Sequence, residues 1–249
     1  MVQPAGGEER WCLMLEKKES QKIREKPGRG LFISFEGPDG AGKTTQARML
    51  KERLEACGLE VVLTREPGGT PIGEEIRKLL LNPSFAEMTV ACEALLYGAA
   101  RAQLVTALIR PALSRGDIVI SDRYLDSSMV YQGLAGGEDL GMITGINLWA
   151  TGKLLPEITF LLDLEAECGL ARLQKEAHGA GAGTRPGDRI EQRELDFHQR
   201  VRQGFLQLAS RERERFFVVR AGDGPEAVQA QIWGKMQEIL RQKGLLFSI

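Results

Sequence analysis

From residue 31 onward, short apolar runs alternate with stretches whose apolar residues recur every three or four positions. Leu31, Phe32, Ile33 and Phe35 make the first run, rich in β-formers and bounded by glycines, the pattern of a buried strand. Ala47, Leu50, Leu54 and Cys57 then fall on one face of a helix that Gly58 stops. Val61, Val62 and Leu63 predict a second strand. Ile76, Leu79 and Leu80 mark a short helix, and residues 91–114 read as largely helical with a kink or restart at Pro111. Residues 118–120 and 158–162 predict the third and fourth strands, and residues 216–219 the fifth. Between the last two come a helix near 166–177, a glycine-rich gap, and a helix carrying Leu195, Val201, Phe205 and Leu208. A closing helix puts Val228, Ile232, Met236 and Leu240 on one side. Strands alternating with helices imply a parallel sheet covered on both faces. The expected fold is therefore three-layered α/β, a five-stranded parallel sheet flanked by helices.

Two segments fall outside this rhythm. Residues 1–29 are dominated by Gly, Glu, Lys and Arg and end in Pro27, Gly28 and Arg29, so they read as a flexible extension of a domain spanning 30–249. Residues 178–187 are almost all Gly and Ala around Thr184, Arg185 and Pro186, which cannot pack a core. That stretch is expected to be a mobile surface loop, either a plain insertion or a lid over a ligand.

Bulk properties narrow the field. The length of 249 residues suits one α/β domain, and 43% hydrophobic with 27% charged residues is ordinary for a globular chain. A net charge of −1 gives no global basic field for nucleic acid or an anionic membrane. Cys12, Cys57, Cys92 and Cys168 have no disulfide-framework or zinc-site spacing and fit reduced thiols in a cytosol. No apolar run approaches the roughly 20 residues of a membrane helix, and the apolar stretch at 11–15 is too short for a secretory signal. The expected location is cytoplasmic, with neither nucleic acid nor membrane as partner.

The chemistry is concentrated after the first strand. Gly37, Pro38, Asp39, Gly40, Ala41, Gly42, Lys43 and Thr44 match the phosphate-binding loop GxxxxGK[ST] in full, followed by Thr45. Glycines let consecutive N–H groups curl around phosphate oxygens, and the helix starting near Lys43 aims its positive end at the same anion. Lys43 reaches the outer phosphates of a nucleoside triphosphate, and the Thr44 hydroxyl can ligate Mg²⁺. Magnesium at such a loop usually takes a carboxylate from another strand end. Asp122 and Asp163 both qualify by spacing, and Arg123 beside Asp122 favours the former. Catalytic bases are scarce: the two histidines, His178 and His198, read as bystanders. An acceptor that is itself a phosphate has a second pKa near 6 and needs positioning by cations rather than deprotonation. A nucleoside monophosphate fits that requirement.

With these residues in view, the chain resembles bacterial thymidylate kinases from about residue 31 to 240. The resemblance rests on 35–45 (FEGPDGAGKTT), 64–70 (TREPGGT), 97–101 (YGAAR), Asp122, Arg123 and Tyr124 with Ser127, Ser128, Tyr131 and Gln132, and 188–191 (DRIE). It implies a P-loop kinase that uses ATP with Mg²⁺ to phosphorylate dTMP, usually as a homodimer. Carried over by motif, Tyr97 stacks on thymine in place of the family's common Phe. Arg101 bonds the thymine edge, and Arg77 and Arg123 grip the acceptor phosphate. Ser128 contacts the base, Tyr131 packs near the sugar, and Glu66, Ser127 and Gln132 complete the acceptor site. Asp39 marks the type in which lid arginines supply a catalytic cation. Here the lid, about 178–188, is longer than usual and leaves Arg185 or Arg189 for that role, with Arg172 on the preceding helix. Glu191 is a metal or acceptor contact at one remove, or simply a first-turn helix acid.

Overall fold

The computed structural model describes residues 30–179 and 188–245. The proposed extension at 1–29 and most of the proposed lid, with Arg185, lie outside the described residues. Five strands occur in the described part: β1 (Phe32–Glu36), β2 (Val61–Arg65), β3 (Ile118–Asp122), β4 (Ile158–Asp163) and β5 (Phe216–Arg220). They form one parallel sheet in the order β2-β3-β1-β4-β5. The register aligns the carboxyl ends: Phe35 of β1 and Arg65 of β2 both pair with Asp122 of β3. Loops leaving these strands therefore open on one edge of the sheet, where ligands bind in open parallel sheets.

Strand alternation divides the core into two layers. Ile33, Phe35, Ile120, Phe160, Leu162 and Val219 face one side. There they meet Leu50 and Leu54 of α1 (Lys43–Ala56) and Val228, Ile232, Met236 and Leu240 of α9 (Pro225–Gln242). Each of these large side chains, once buried, stabilises by about 1.5–3 kcal/mol, so the four-residue stripe alone fastens α9 to the sheet. Phe32, Val119, Leu161 and Phe216 face the other side. That layer is covered by α3 (Val90–Leu104) and by α8 (Leu195–Arg211), which contributes Phe197, Val201 and Phe205.

The remaining helices are α2 (Pro71–Leu81), α4 (Arg110–Arg115), the short α5 (Leu125–Ser128), α6 (Leu140–Thr151) and α7 (Ala166–Gly179). Side-chain caps start several: Thr70 accepts from the Gly73 amide at 3.0 Å, and Asp139 accepts from the Met142 amide at 2.8 Å. The helical stretch expected at 91–114 is present, but its irregularity precedes Pro111. The helix widens into a π-helical turn over Val105–Ile109, and Pro111 then occupies the first turn of α4, where a missing N–H is tolerated. A second π-helical turn, Met129–Leu134, carries Tyr131 and Gln132. The sequence pattern did not predict α6.

Candidate active site

The phosphate-binding loop links β1 to α1. A Cβ on Gly37 (φ 138°) would lie 2.4 Å from the Leu162 carbonyl oxygen, and one on Gly40 (φ 72°) 2.2 Å from that of Gly169. Only glycine fits at those two points, which lets the loop press against β4 and α7. Gly42 caps α1 without a side-chain bond, so the first amides of the helix stay available to an anion. The Lys43 ammonium donates to the carbonyls of Gly37 (2.9 Å) and Pro38 (2.6 Å). Burial and the Arg123 cation pull its pKa down to about 8, against the upward pull of Asp39, Asp122 and Glu36.

The Thr44 hydroxyl donates to Asp122 Oδ2. Asp163, the alternative strand-end acid, is instead clamped by Arg202, with Nε 2.7 Å from Oδ1 and Nη2 3.1 Å from Oδ2. Thr44 and Asp122 offer two hard oxygen donors beside the loop. No cluster of three or more His, Cys, Asp or Glu suited to a metal occurs among the described residues. That donor set fits magnesium, which keeps waters and substrate phosphates as its other ligands, better than a cation needing an all-protein cage.

Arg123 follows β3 in a left-handed conformation, φ 69°. For a residue other than glycine this costs on the order of 1–3 kcal/mol and persists only where surroundings over-determine it. Here they do. Its N–H bonds the Phe35 carbonyl at 2.9 Å, and its own carbonyl accepts from the Ser121 hydroxyl at 2.7 Å. Just beyond, Glu36 accepts from the Tyr124 amide (2.7 Å) and the Ser127 hydroxyl (2.6 Å). Burial and neighbouring Asp126 push the Glu36 carboxyl up to about 8, although Arg123 and these bonds oppose the rise.

The Arg123 guanidinium donates to the Gly37 carbonyl (3.2 Å), the Ser127 hydroxyl (3.1 Å), the Tyr131 hydroxyl (3.2 Å) and the Asp39 carboxylate. Tyr131 in turn donates to Asp39 Oδ2 at 2.8 Å. Burial works to raise the Asp39 pKa, but Arg123 and Lys43 outweigh it and hold the carboxyl below its usual range.

The far wall is built on Arg101, which is only 1% exposed. Its Nε donates to Glu66 Oε2 at 2.8 Å and its Nη1 to Ser128 Oγ at 3.2 Å, with further bonds to Asn147 and the Tyr124 carbonyl. Tyr97, one helical turn earlier on α3, is half-buried, and burial followed by Glu93 drives its phenol pKa upward. Arg77 on α2 donates to the Pro67 carbonyl at 2.9 Å. These side chains, the phosphate loop and Arg123 line one continuous cleft of about 330 Å³.

The thymidylate kinase family model matches residues 35–232. Curated thymidylate kinases of Deinococcus radiodurans and Symbiobacterium thermophilum are 47% and 48% identical to the chain. Those matches cover 84% and 86% of this chain and 97% and 95% of theirs. A crystal structure of thymidylate kinase from Ehrlichia chaffeensis matches with a TM-score of 0.67 at 32% identity, over 84% of this chain and 99% of that one. The chain belongs to the thymidylate kinase family.

Of the residues that the sequence singles out, the cleft brings together Asp39, Gly40, Gly42, Lys43, Thr44, Thr45, Glu66, Arg77, Tyr97, Arg101, Asp122, Arg123, Ser127, Ser128, Tyr131 and Gln132. Gly37, Pro38 and Ala41 do not line it; the first two hold Lys43 through their carbonyls, and Ala41 is buried in the core layer under α1. Arg189 is turned away. It is 8% exposed, donates to the Leu80 carbonyl at 3.0 Å and pairs with buried Glu93 at 3.1 Å. Arg172 reaches the phosphate loop from α7, with Nη1 3.4 Å from the Gly40 carbonyl. Glu191 lines the cleft, and burial followed by Asp188 pushes its pKa up.

Four residues of the network escaped the sequence reading as functional positions: Glu36, Glu93, Asn147 and His198. Glu93 is fully buried and binds Arg189 and Arg193, fastening the segment after 187 to α3. Local signals are weak for all four, because each acts on partners at least 22 residues away in the chain, as in the 91-residue separation of Glu36 from Ser127. The one available cue was a lone acid in an apolar run, which Glu36 supplies at the end of β1.

Proposed function

We propose that this chain transfers the γ-phosphate of ATP to dTMP, giving ADP and dTDP. The observation that carries the reading is the single cleft in which Lys43 and the phosphate loop meet Arg77, Arg123 and Tyr97. In this reading residues 37–45 cradle the ATP phosphates, with Lys43 exchanging its two carbonyl bonds for outer phosphate oxygens. Thr44 and Asp122 hold magnesium, which when bound neutralises charge on the transferring phosphate. Arg123 and Arg77 grip the acceptor phosphate, where a planar fork suits bidentate contact. Tyr97 gives the thymine a flat face, while Arg101, Ser128 and Gln132 line the base edge. Glu66 keeps Arg101 in position, and Ser127 does the same for Arg123. Tyr131 and Asp39 crowd the sugar.

No histidine lines the cleft among the described residues. A phosphate acceptor arrives largely as a dianion, so positioning and relief of charge repulsion suffice, and no general base is required. Of the two lid arginines that the sequence offers, we assign Arg185 to charge neutralisation at the transferring phosphate, because Arg189 is committed to Glu93.

We further infer a homodimer. Helices α3 and α6 cross closely where Gly98 meets Ile146. Their outer faces leave Leu95 (61% exposed), Met142 (59%) and Trp149 (86%) uncovered, an apolar surface of the kind that marks a protein interface. A cytoplasmic location is consistent with three exposed free cysteines, Cys57, Cys92 and Cys168. No helix among the described residues is long and apolar enough to cross a membrane.

The test is steady-state turnover with ATP, Mg²⁺ and a panel of acceptors. The reading expects dTMP to exceed dUMP, dCMP and thymidine in kcat/KM by at least about tenfold. Equal turnover across the panel would overturn it.

A further inference from the structure

Arg123 presents a problem for phosphate capture. Both Nη nitrogens of its guanidinium are engaged, and the one charged partner among their acceptors is the Asp39 carboxylate. An incoming dianion must draw Arg123 toward itself, and it also brings negative charge close to Asp39. Lys43 cannot compensate, since a polyphosphate claims it. Asp39, only 17% exposed, would then be a poorly solvated carboxylate with Tyr131 as its one remaining donor among the described residues, beside whatever hydroxyl the sugar offers. Such a group needs another partner.

One is already in place. His198, on the first turn of α8, is 2% exposed and points Nδ1 at Asp39 Oδ2 from 4.0 Å. That is about 1 Å beyond a hydrogen bond. Its Nε2 is buried with no hydrogen-bond partner among the described residues. With no acceptor beside Nε2, the tautomer that carries its proton on Nδ1 is favoured, and that N–H faces the Asp39 carboxylate across the 4.0 Å gap.

We propose that His198 is a positioning residue for Asp39, receiving its carboxylate when the acceptor phosphate takes Arg123. The step is a small rotation of the Asp39 side chain from Arg123 toward the Nδ1–H of His198, with no proton changing owner. It moves one negative charge away from another and frees the Arg123 fork for the substrate. This inference rests on the dTMP reading above. Turnover of dTMP by the unaltered chain tests that reading separately.

The experiment compares kinetics of His198→Asn, His198→Gln and His198→Phe, alone and with Asp39→Asn. The Asn amide nitrogen overlays Nδ1, whereas the Gln nitrogen overlays Nε2. The proposal predicts that H198N keeps the KM for dTMP within about threefold, while H198Q and H198F raise it about tenfold and leave the KM for ATP unmoved. With Asp39 replaced by Asn, H198F should add no further effect. The idea is overturned if H198F matches the unaltered chain, if H198N is as impaired as H198Q, or if H198F costs the same with and without the Asp39 carboxylate. Should H198F fail to fold, the H198N and H198Q pair decides alone.

Discussion

Lys43 sits where burial and the Arg123 cation disfavour its charge, and its pKa falls to about 8. A polyphosphate reverses that balance. Binding of ATP near pH 8.5 should therefore take up a proton, seen as buffer-dependent heat in calorimetry; heats independent of buffer ionisation would count against it. Replacing Lys43 by Ala should lower kcat about a hundredfold or more through lost charge stabilisation, and near-normal turnover would contradict the loop's assignment. Arg101 behaves differently. With its partner Glu66 also buried, Arg101→Ala leaves an uncompensated carboxylate and should cost about 3–5 kcal/mol of stability besides weakening dTMP binding. Denaturant melts check the first effect; an unchanged midpoint would mean the pair is not structural. At this scale the phosphate loop was legible because its chemistry is contiguous in sequence, and Arg101, Tyr97 and Arg123 because motifs bring them together. Reading Arg101 as buried among Glu66, Ser128 and Asn147 required the fold, since those partners lie 27 to 46 residues away.

Secondary elements were legible where their apolar period was clean. All five strands and the α1, α2, α8 and α9 faces fall where alternation and helical spacing put them. The α6 sequence, LGMITGINLWAT, defeats that logic. It carries two glycines, and its apolar residues point both inward, as Ile143 does, and outward, as Met142 and Trp149 do. The π-helical turns at 105–109 and 129–134 have no periodic signature at all. A prediction at this scale concerns Glu36, which ties β1 to the loop after β3. Its carboxyl is raised to about 8 in the fold, mainly by burial. A raised acid contributes stability that is full below its unfolded pKa, about 4.5, and is lost as pH climbs through 8. Urea melts between pH 5.5 and 8.5 should show the unaltered chain losing stability relative to Glu36→Gln as pH rises. Parallel curves would contradict the raised pKa.

For the molecule as a whole, the α/β class and the five-stranded parallel sheet followed from the alternation of strands and helices. The strand order did not, because which strands neighbour each other is set by long-range pairing that no local pattern records. Oligomerisation is a property of this scale too. If α3 and α6 form the contact, Trp149→Glu should turn a dimer into a monomer by light scattering at micromolar concentration, since a buried unpaired charge opposes association. A persistent dimer would place the interface elsewhere.

We propose that one cleft holds two phosphate groups in line, one on the loop at 37–44 and the other between Arg77 and Arg123. A crystal structure with ADP and dTMP tests it most directly. Thymine is expected against the Tyr97 ring and the dTMP phosphate on the Arg123 guanidinium. A pyrimidine nucleotide bound away from both residues would contradict it.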